Sequence, residues 1–157
     1  MKILGIDPGT SLIGYGIIEV AGKDYKVVDF GGFKTGVNIR NADRVVAVYN
    51  FFDKLIKKNR LDKVALESLF FFKNAKTVVK VSEVRGVLLY VAAKNGLEIA
   101  EFTPLQVKQA VSGYGRAEKN QVQQMVKMIL GLDTIPKPDD AADALAIAIC
   151  CANTVVY

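Results

Sequence analysis

The sequence predicts an α/β fold built on a mixed five-stranded sheet with helices on both faces. The order of its apolar segments carries this reading: three strands joined by tight turns come first, then helix, strand, helix, strand, and finally a helical tail. The 157 residues are 51% hydrophobic, enough for one substantial core, so a single domain over 1–157 is expected.

Strands joined by tight turns are expected over 2–7, 14–21 and 25–34, punctuated by Gly9, Gly14, Gly16, Gly22, Gly31 and Gly32. Connections this short make an antiparallel meander. Residues 41–58 place Val45, Val48, Tyr49, Phe52, Leu55 and Ile56 at helical spacing, with charged residues on the other face. A strand over 62–67, a helix over 75–95 and a strand over 97–102 follow, the order that yields parallel pairs through right-handed crossovers. Helices over 104–111 and 117–130, a loop through Ile135-Pro136-Lys137-Pro138 and a last helix from 139 complete the chain. Between 78 and 91 the apolar residues cover more than one stripe of the helix, which leaves a face for a partner subunit to cover.

Composition removes several chemistries. The chain has no histidine, so histidine bases, histidine metal ligands and Ser/His or Cys/His nucleophile pairs are excluded. Its two cysteines are the neighbours Cys150 and Cys151, read as buried free thiols in a reducing compartment. Without a signal-like N-terminus or a long apolar run, the expectation is a cytoplasmic protein with no membrane contact. The net charge is +5, which favours polyanions as partners.

Against that basic background, three elements bring carboxylates to places where a core tolerates few. The strand Ile3-Leu4-Gly5-Ile6-Asp7 stops at Asp7-Pro8-Gly9, and the strand Lys63-Val64-Ala65-Leu66-Glu67 stops at Glu67. Carboxyl ends of strands are where α/β sheets keep their sites. The Ala-rich last helix carries Asp139, Asp140 and Asp143 in its first turns. Residues three or four apart share a helix face, so Asp143 converges with Asp139 or with Asp140, and spacing leaves that choice open. Asp139 as a helix cap and Asp140 as a partner of the helix dipole are the structural alternatives; Asp143 has none of that kind. Converging carboxylates repel and are costly to desolvate together, which suggests a divalent cation site.

Gly5-Ile6-Asp7-Pro8-Gly9-Thr10, Ala65-Leu66-Glu67, the run Gln106-Val107-Lys108-Gln109-Ala110-Val111 with Gly113, Ala117-Glu118-Lys119-Asn120-Gln121-Val122-Gln123 and Asp140-Ala141-Ala142-Asp143-Ala144-Leu145-Ala146 resemble, in order and spacing, the RuvC family of Holliday junction resolvases. The resemblance spans nearly the whole chain. It implies a ribonuclease H-like fold, a homodimer, and an endonuclease of recombination and repair that nicks two opposing strands of a four-way DNA junction. It implies Mg²⁺, two ions per site with Mn²⁺ as an alternative, held by Asp7, Glu67, Asp140 and Asp143, and so selects Asp140. The products would be 5′-phosphate and 3′-hydroxyl ends. Lys108 and Lys119 match basic positions near the scissile phosphate, with Lys119 stabilising charge in the reaction. A branch-migration complex, a junction-binding tetramer and a hexameric motor, is the implied partner.

Phe70-Phe71-Phe72 cannot all point into one core, and an aromatic beside the basic stretch Lys73-Asn74-Ala75-Lys76 can stack on unpaired bases. Phe70 matches the family's stacking aromatic and Lys76 is the neighbouring DNA contact; Phe71 and Phe72 are read as core or dimer contacts. Arg40, Arg44, Lys57, Lys58, Arg60, Lys80, Arg85, Arg116 and Lys127 divide between DNA contacts and solvated faces in a way the sequence does not sort. Three rivals remain: a ribonuclease H-like nuclease of another substrate, an actin-like ATPase half, for which the Asp7 hairpin fits but the chain is short, and a module that binds junctions without cutting them.

Overall fold

The structure, a computed structural model, describes residues 1–36, 38–68 and 75–155, the side chains of 75–77 and 155 excepted. Its sheet comprises β1 (Lys2–Asp7), β2 (Leu12–Ala21), β3 (Asp24–Lys34), β4 (Lys63–Glu67) and β5 (Glu98–Phe102), in the spatial order β3-β2-β1-β4-β5. The first three strands form the expected antiparallel meander, and β4 and β5 join it in parallel. Helices α1 (Asn41–Asn59) and α2 (Ala75–Lys94) cover one face; α3 (Pro104–Ser112), α4 (Lys119–Ile129) and α5 (Asp139–Val155) cover the other.

Alternation along the central strands divides the core between these faces. Leu4, Ile6, Val64 and Leu66 pack with Val48, Phe52, Val84 and Leu88 of α1 and α2. Ile3 and Ala65 pack with Val107, Val126, Leu145 and Ile149 on the opposite side. Helix ends follow local chemistry: at α3 the Thr103 hydroxyl accepts from the Gln106 N–H, the Gln106 side chain accepts from the Thr103 N–H, Pro104 sits in the first turn, and Gly113 closes the helix in the left-handed region.

Four of the glycines lie inside strands, as the bounds 14–21 and 25–34 expect. Gly14 and Gly16 lie within β2, and Gly31 and Gly32 within β3. What β2 needs is closeness: a methyl group at Gly14 would stand 2.0 Å from the Asp140 carbonyl oxygen, and one at Gly16 would stand 2.6 Å from Leu145. On β1 a methyl at Gly5 would stand 2.0 Å from the Ala144 carbonyl oxygen. Glycine on the sheet and alanine on α5 therefore bring two backbones together, and α5 lies almost on the strands.

Helix α2 buries Val84, Leu88 and Val91 and leaves Val79 and Tyr90 exposed, so an apolar face stays open as expected. A groove of about 440 Å³ between α1 and α2 is lined by Val45, Val46, Tyr49, Glu83, Gly86, Val87 and Tyr90. Cys150 and Cys151 are buried and unbridged, and among the described residues no helix is long and apolar enough to cross a membrane.

Candidate active site

The same alternation that builds the core aims the acids. Asp7 follows Ile3 and Gly5 on the α5 side of β1, and Glu67 follows Ala65 on that side of β4. Parallel pairing brings Ile6 opposite Leu66, so Asp7 and Glu67 end adjacent strands at one edge of the sheet. Across β2, Asp7 pairs with Gly14, the residue on which the Asp140 backbone rests. The first turns of α5 are thereby held over the ends of β1 and β4.

A pocket of about 240 Å³ opens at this edge, lined by Asp7, Glu67, Lys108, Lys119 and Asp143 on its polar side and by Pro104, Val107, Val122, Ala146 and Ile147 on its apolar side. Lys119, the first residue of α4, places its Nζ 2.7 Å from Asp143 Oδ2. Asp140 lies outside the pocket wall, yet its charge is felt at Asp7. Asp139 is bound to Lys137, Nζ to Oδ1 at 2.6 Å, and makes no helix cap.

Charge is concentrated here at an electrostatic cost. Burial, together with Glu67, Asp143 and Asp140, pushes the Asp7 carboxyl up to about 7, with only Lys119 opposing. Burial and then Asp143 raise Glu67, against the pull of Lys108. Burial also raises Asp143 despite its bond to Lys119, while that bond raises Lys119. Among the described residues no three of the acids are already drawn together closely enough to form a finished metal cage. The donor set nevertheless fits a hard divalent cation: every donor is a carboxylate oxygen, and Asp7 is held between two strands where added positive charge would relieve it.

The sequence profile of the family described as "Crossover junction endodeoxyribonuclease RuvC" matches residues 3–151. The chain belongs to the RuvC family. The crossover junction endodeoxyribonuclease RuvC of Ruminiclostridium cellulolyticum is 53% identical over 154 residues, 98% of this chain and 93% of that protein. Thermus thermophilus RuvC in complex with Holliday junction substrate superposes with a TM-score of 0.94 at 33% identity, covering 99% of this chain and 95% of that one. The free T. thermophilus RuvC structure gives 0.92 at 34% identity, covering 99% and 95%. This RuvC-family chain is thus an endodeoxyribonuclease with a ribonuclease H-like fold, and the ATPase reading falls away.

Phe70 lies outside the described residues, and Lys76 is in the first turn of α2 with its side chain undescribed. Arg44, grouped by sequence with possible DNA contacts and solvated charges, is instead 6% exposed and buried in α1. Sequence reasoning also passed over the Lys119 to Asp143 bond and the apolar wall of the pocket. The wall was marked by Val122, three residues after Lys119 on the same face of α4, while Val107 is the chain neighbour of Lys108.

Proposed function

We propose that this protein resolves Holliday junctions as a homodimer, nicking opposed strands symmetrically with Mg²⁺ held by Asp7, Glu67, Asp140 and Asp143. The observation that carries the reading is the convergence of carboxylates from β1, β4 and α5 with Lys108 and Lys119 on one pocket. A divalent cation bound there, two per site with Mn²⁺ as an alternative, would activate water for attack on phosphorus and stabilise the departing 3′-oxygen.

The chain's own residues supply the rest. Asp7 and Glu67 hold fixed places at paired strand ends, so the ligand geometry inherits the rigidity of the sheet. Lys119, half-exposed at the pocket mouth, is placed to leave Asp143 for a phosphate oxygen and to offset charge as the reaction proceeds. Lys108, opposite it, contacts a neighbouring phosphate. Phe70 stacks on an unpaired base and Lys76 contacts the backbone beside it. Cleavage leaves 5′-phosphate and 3′-hydroxyl ends. The α1/α2 groove, apolar apart from Glu83, seats the second subunit. The branch-migration tetramer and motor act on the same junction, and reduced buried thiols suit a cytoplasmic setting.

The test is cleavage of an end-labelled four-way junction and of a linear duplex of the same sequence, in Mg²⁺ and in EDTA, by the parent and by Asp7→Asn. Paired symmetric nicks in the junction alone, lost in EDTA and in the variant, are expected. Tight junction binding without cleavage across a panel of junction sequences would replace this reading with that of a binding module.

A further inference from the structure

Among the described residues only three polar side chains are buried in the core: Thr35, Arg44 and Gln123, at 5, 6 and 6% exposure. Two of these are joined to each other. Arg44 Nε donates to Thr35 Oγ1 at 3.3 Å, and Thr35 Oγ1 donates to the Thr10 carbonyl at 2.8 Å. The Thr35 N–H donates to the Ser11 carbonyl at 3.0 Å. The remaining guanidinium nitrogens of Arg44 reach Asn41 Oδ1 at 3.3 Å and the Gly36 carbonyl at 3.4 Å. All these partners are neutral, and no carboxylate pairs with Arg44 among the described residues.

A buried guanidinium with neutral partners is a costly way to fill a core, and an aliphatic side chain would fill it at lower cost. What distinguishes the place is what it grips. The β2 to β3 ladder ends at the pair Leu12 and Lys34, so Ser11 and Thr10 lie beyond the sheet's own hydrogen bonds. The two bonds from Thr35 extend that grip into the turn Pro8-Gly9-Thr10-Ser11, which leads directly out of Asp7. The turn is tight: a methyl at Gly9 would stand 2.0 Å from the Leu12 carbonyl oxygen. Arg44 backs Thr35 from α1, and Asn41 passes the connection to Glu83 of α2 through a hydrogen bond.

We infer that Thr35 and Arg44 are positioning residues for the cleavage reaction, holding the turn after Asp7 so that its carboxylate stays fixed at the strand end. The inference rests on the proposed role of Asp7 for its catalytic consequence, while the grip on the turn stands on the hydrogen bonds alone. Neither residue touches substrate. Both act through the Thr10 and Ser11 peptides, and small displacements of a reacting group are enough to slow a reaction.

The experiment compares Thr35→Val, which keeps the shape and removes the hydroxyl, with Thr35→Ser, which keeps the hydroxyl. Three readouts are taken: single-turnover junction cleavage in saturating Mg²⁺, junction Kd in EDTA, and hydrogen exchange of the residue 35 amide, which donates to the Ser11 carbonyl. Thr35→Val is expected to slow cleavage about tenfold with Kd within about twofold, and to speed exchange at residue 35 about tenfold while β1 stays protected. Thr35→Ser should recover both to within about threefold of the parent. Unchanged exchange at residue 35 in Thr35→Val, or losses that Thr35→Ser fails to recover, would overturn the inference. Should Thr35→Val fail to fold, Arg44→Lys, which keeps the charge and loses the fork, decides by the same exchange measurement. If the parent itself cuts no four-way junction, the functional reading fails, and exchange still settles whether the turn is held this way.

Discussion

Lys119 Nζ lies 2.7 Å from Asp143 Oδ2, tying the first residue of α4 to the second turn of α5 across the mouth of the pocket. With the lysine side chain 56% and the aspartate 29% exposed, the pair contributes little to stability. Its place in the site is what counts. Lys119→Gln should therefore melt within a few degrees of the parent yet cut junctions about 100-fold more slowly. Junction binding should weaken only slightly, with the salt dependence of log Kd reduced by about one. A filter-binding salt series beside single-turnover cleavage checks both parts; a loss confined to binding would make Lys119 a surface contact.

Asp7 predicts an unusual stability profile. Its folded carboxyl sits at about 7 against 3.8 for the ordinary group, so between those values the native protein holds a proton that the unfolded chain has released. Stability then falls as pH rises from about 4 to about 7 and levels off above. The raised Glu67 and Asp143 act in the same direction. In EDTA the melting temperature should decrease across this window, and Asp7→Asn should flatten the slope without abolishing it. Added Mg²⁺ should stabilise most at the alkaline end, where no proton has to be displaced, and calorimetric melting at several pH values reads this directly.

Gly14→Ala tests the close approach of α5. A methyl group there meets the Asp140 carbonyl oxygen at 2.0 Å, with backbone on both sides and no flexible side chain to give way. A loss of about 3 kcal/mol in urea unfolding is expected, accompanied by lost cleavage, because the helix carrying Asp140 and Asp143 must shift. Retained activity would mean that α5 has room the geometry denies it.

The α1/α2 groove gives the dimer test. Tyr90 is 59% exposed at its rim, beside Val46 at 57%. Tyr90→Glu places a charge beside Glu83 and should convert a dimer to monomers by light scattering, with the fold unchanged by circular dichroism. Cleavage should then turn from paired to single nicks. A variant that remains dimeric would move the interface elsewhere.

The sequence was most informative where local chemistry decides. The central strands announced themselves as short apolar runs ending on an acid, and these strands and α3 fall within a residue or two of the expected bounds. The carboxylates of β1 and β4 were legible because period-two alternation and parallel pairing need only neighbouring residues. Why Gly14 and Gly16 are glycine was not legible, because a glycine that loosens a strand and a glycine under a helix look alike until the helix is placed. Arg44 was misread for a related reason: its neutral partners at 35, 36 and 41 come from a loop and a helix start, and no local pattern marks an arginine as buried. The alternative between Asp139 and Asp140 was beyond spacing; in the structure Asp139 is the first residue of α5 and bonds Lys137.

Cys150 and Cys151 sit on the same helix as Asp140 and Asp143, both buried, and burial drives the Cys150 thiol up to about 11. No other cysteine exists in the chain to compete for a thiol reagent. Cys150 borders a groove beside α3, whereas Cys151, 1% exposed, does not line it, so alkylation of Cys151 should proceed only as fast as the packing around α5 opens. Its rate with and without Mg²⁺ or junction DNA would report how firmly each ligand clamps the helix that carries Asp143 into the pocket.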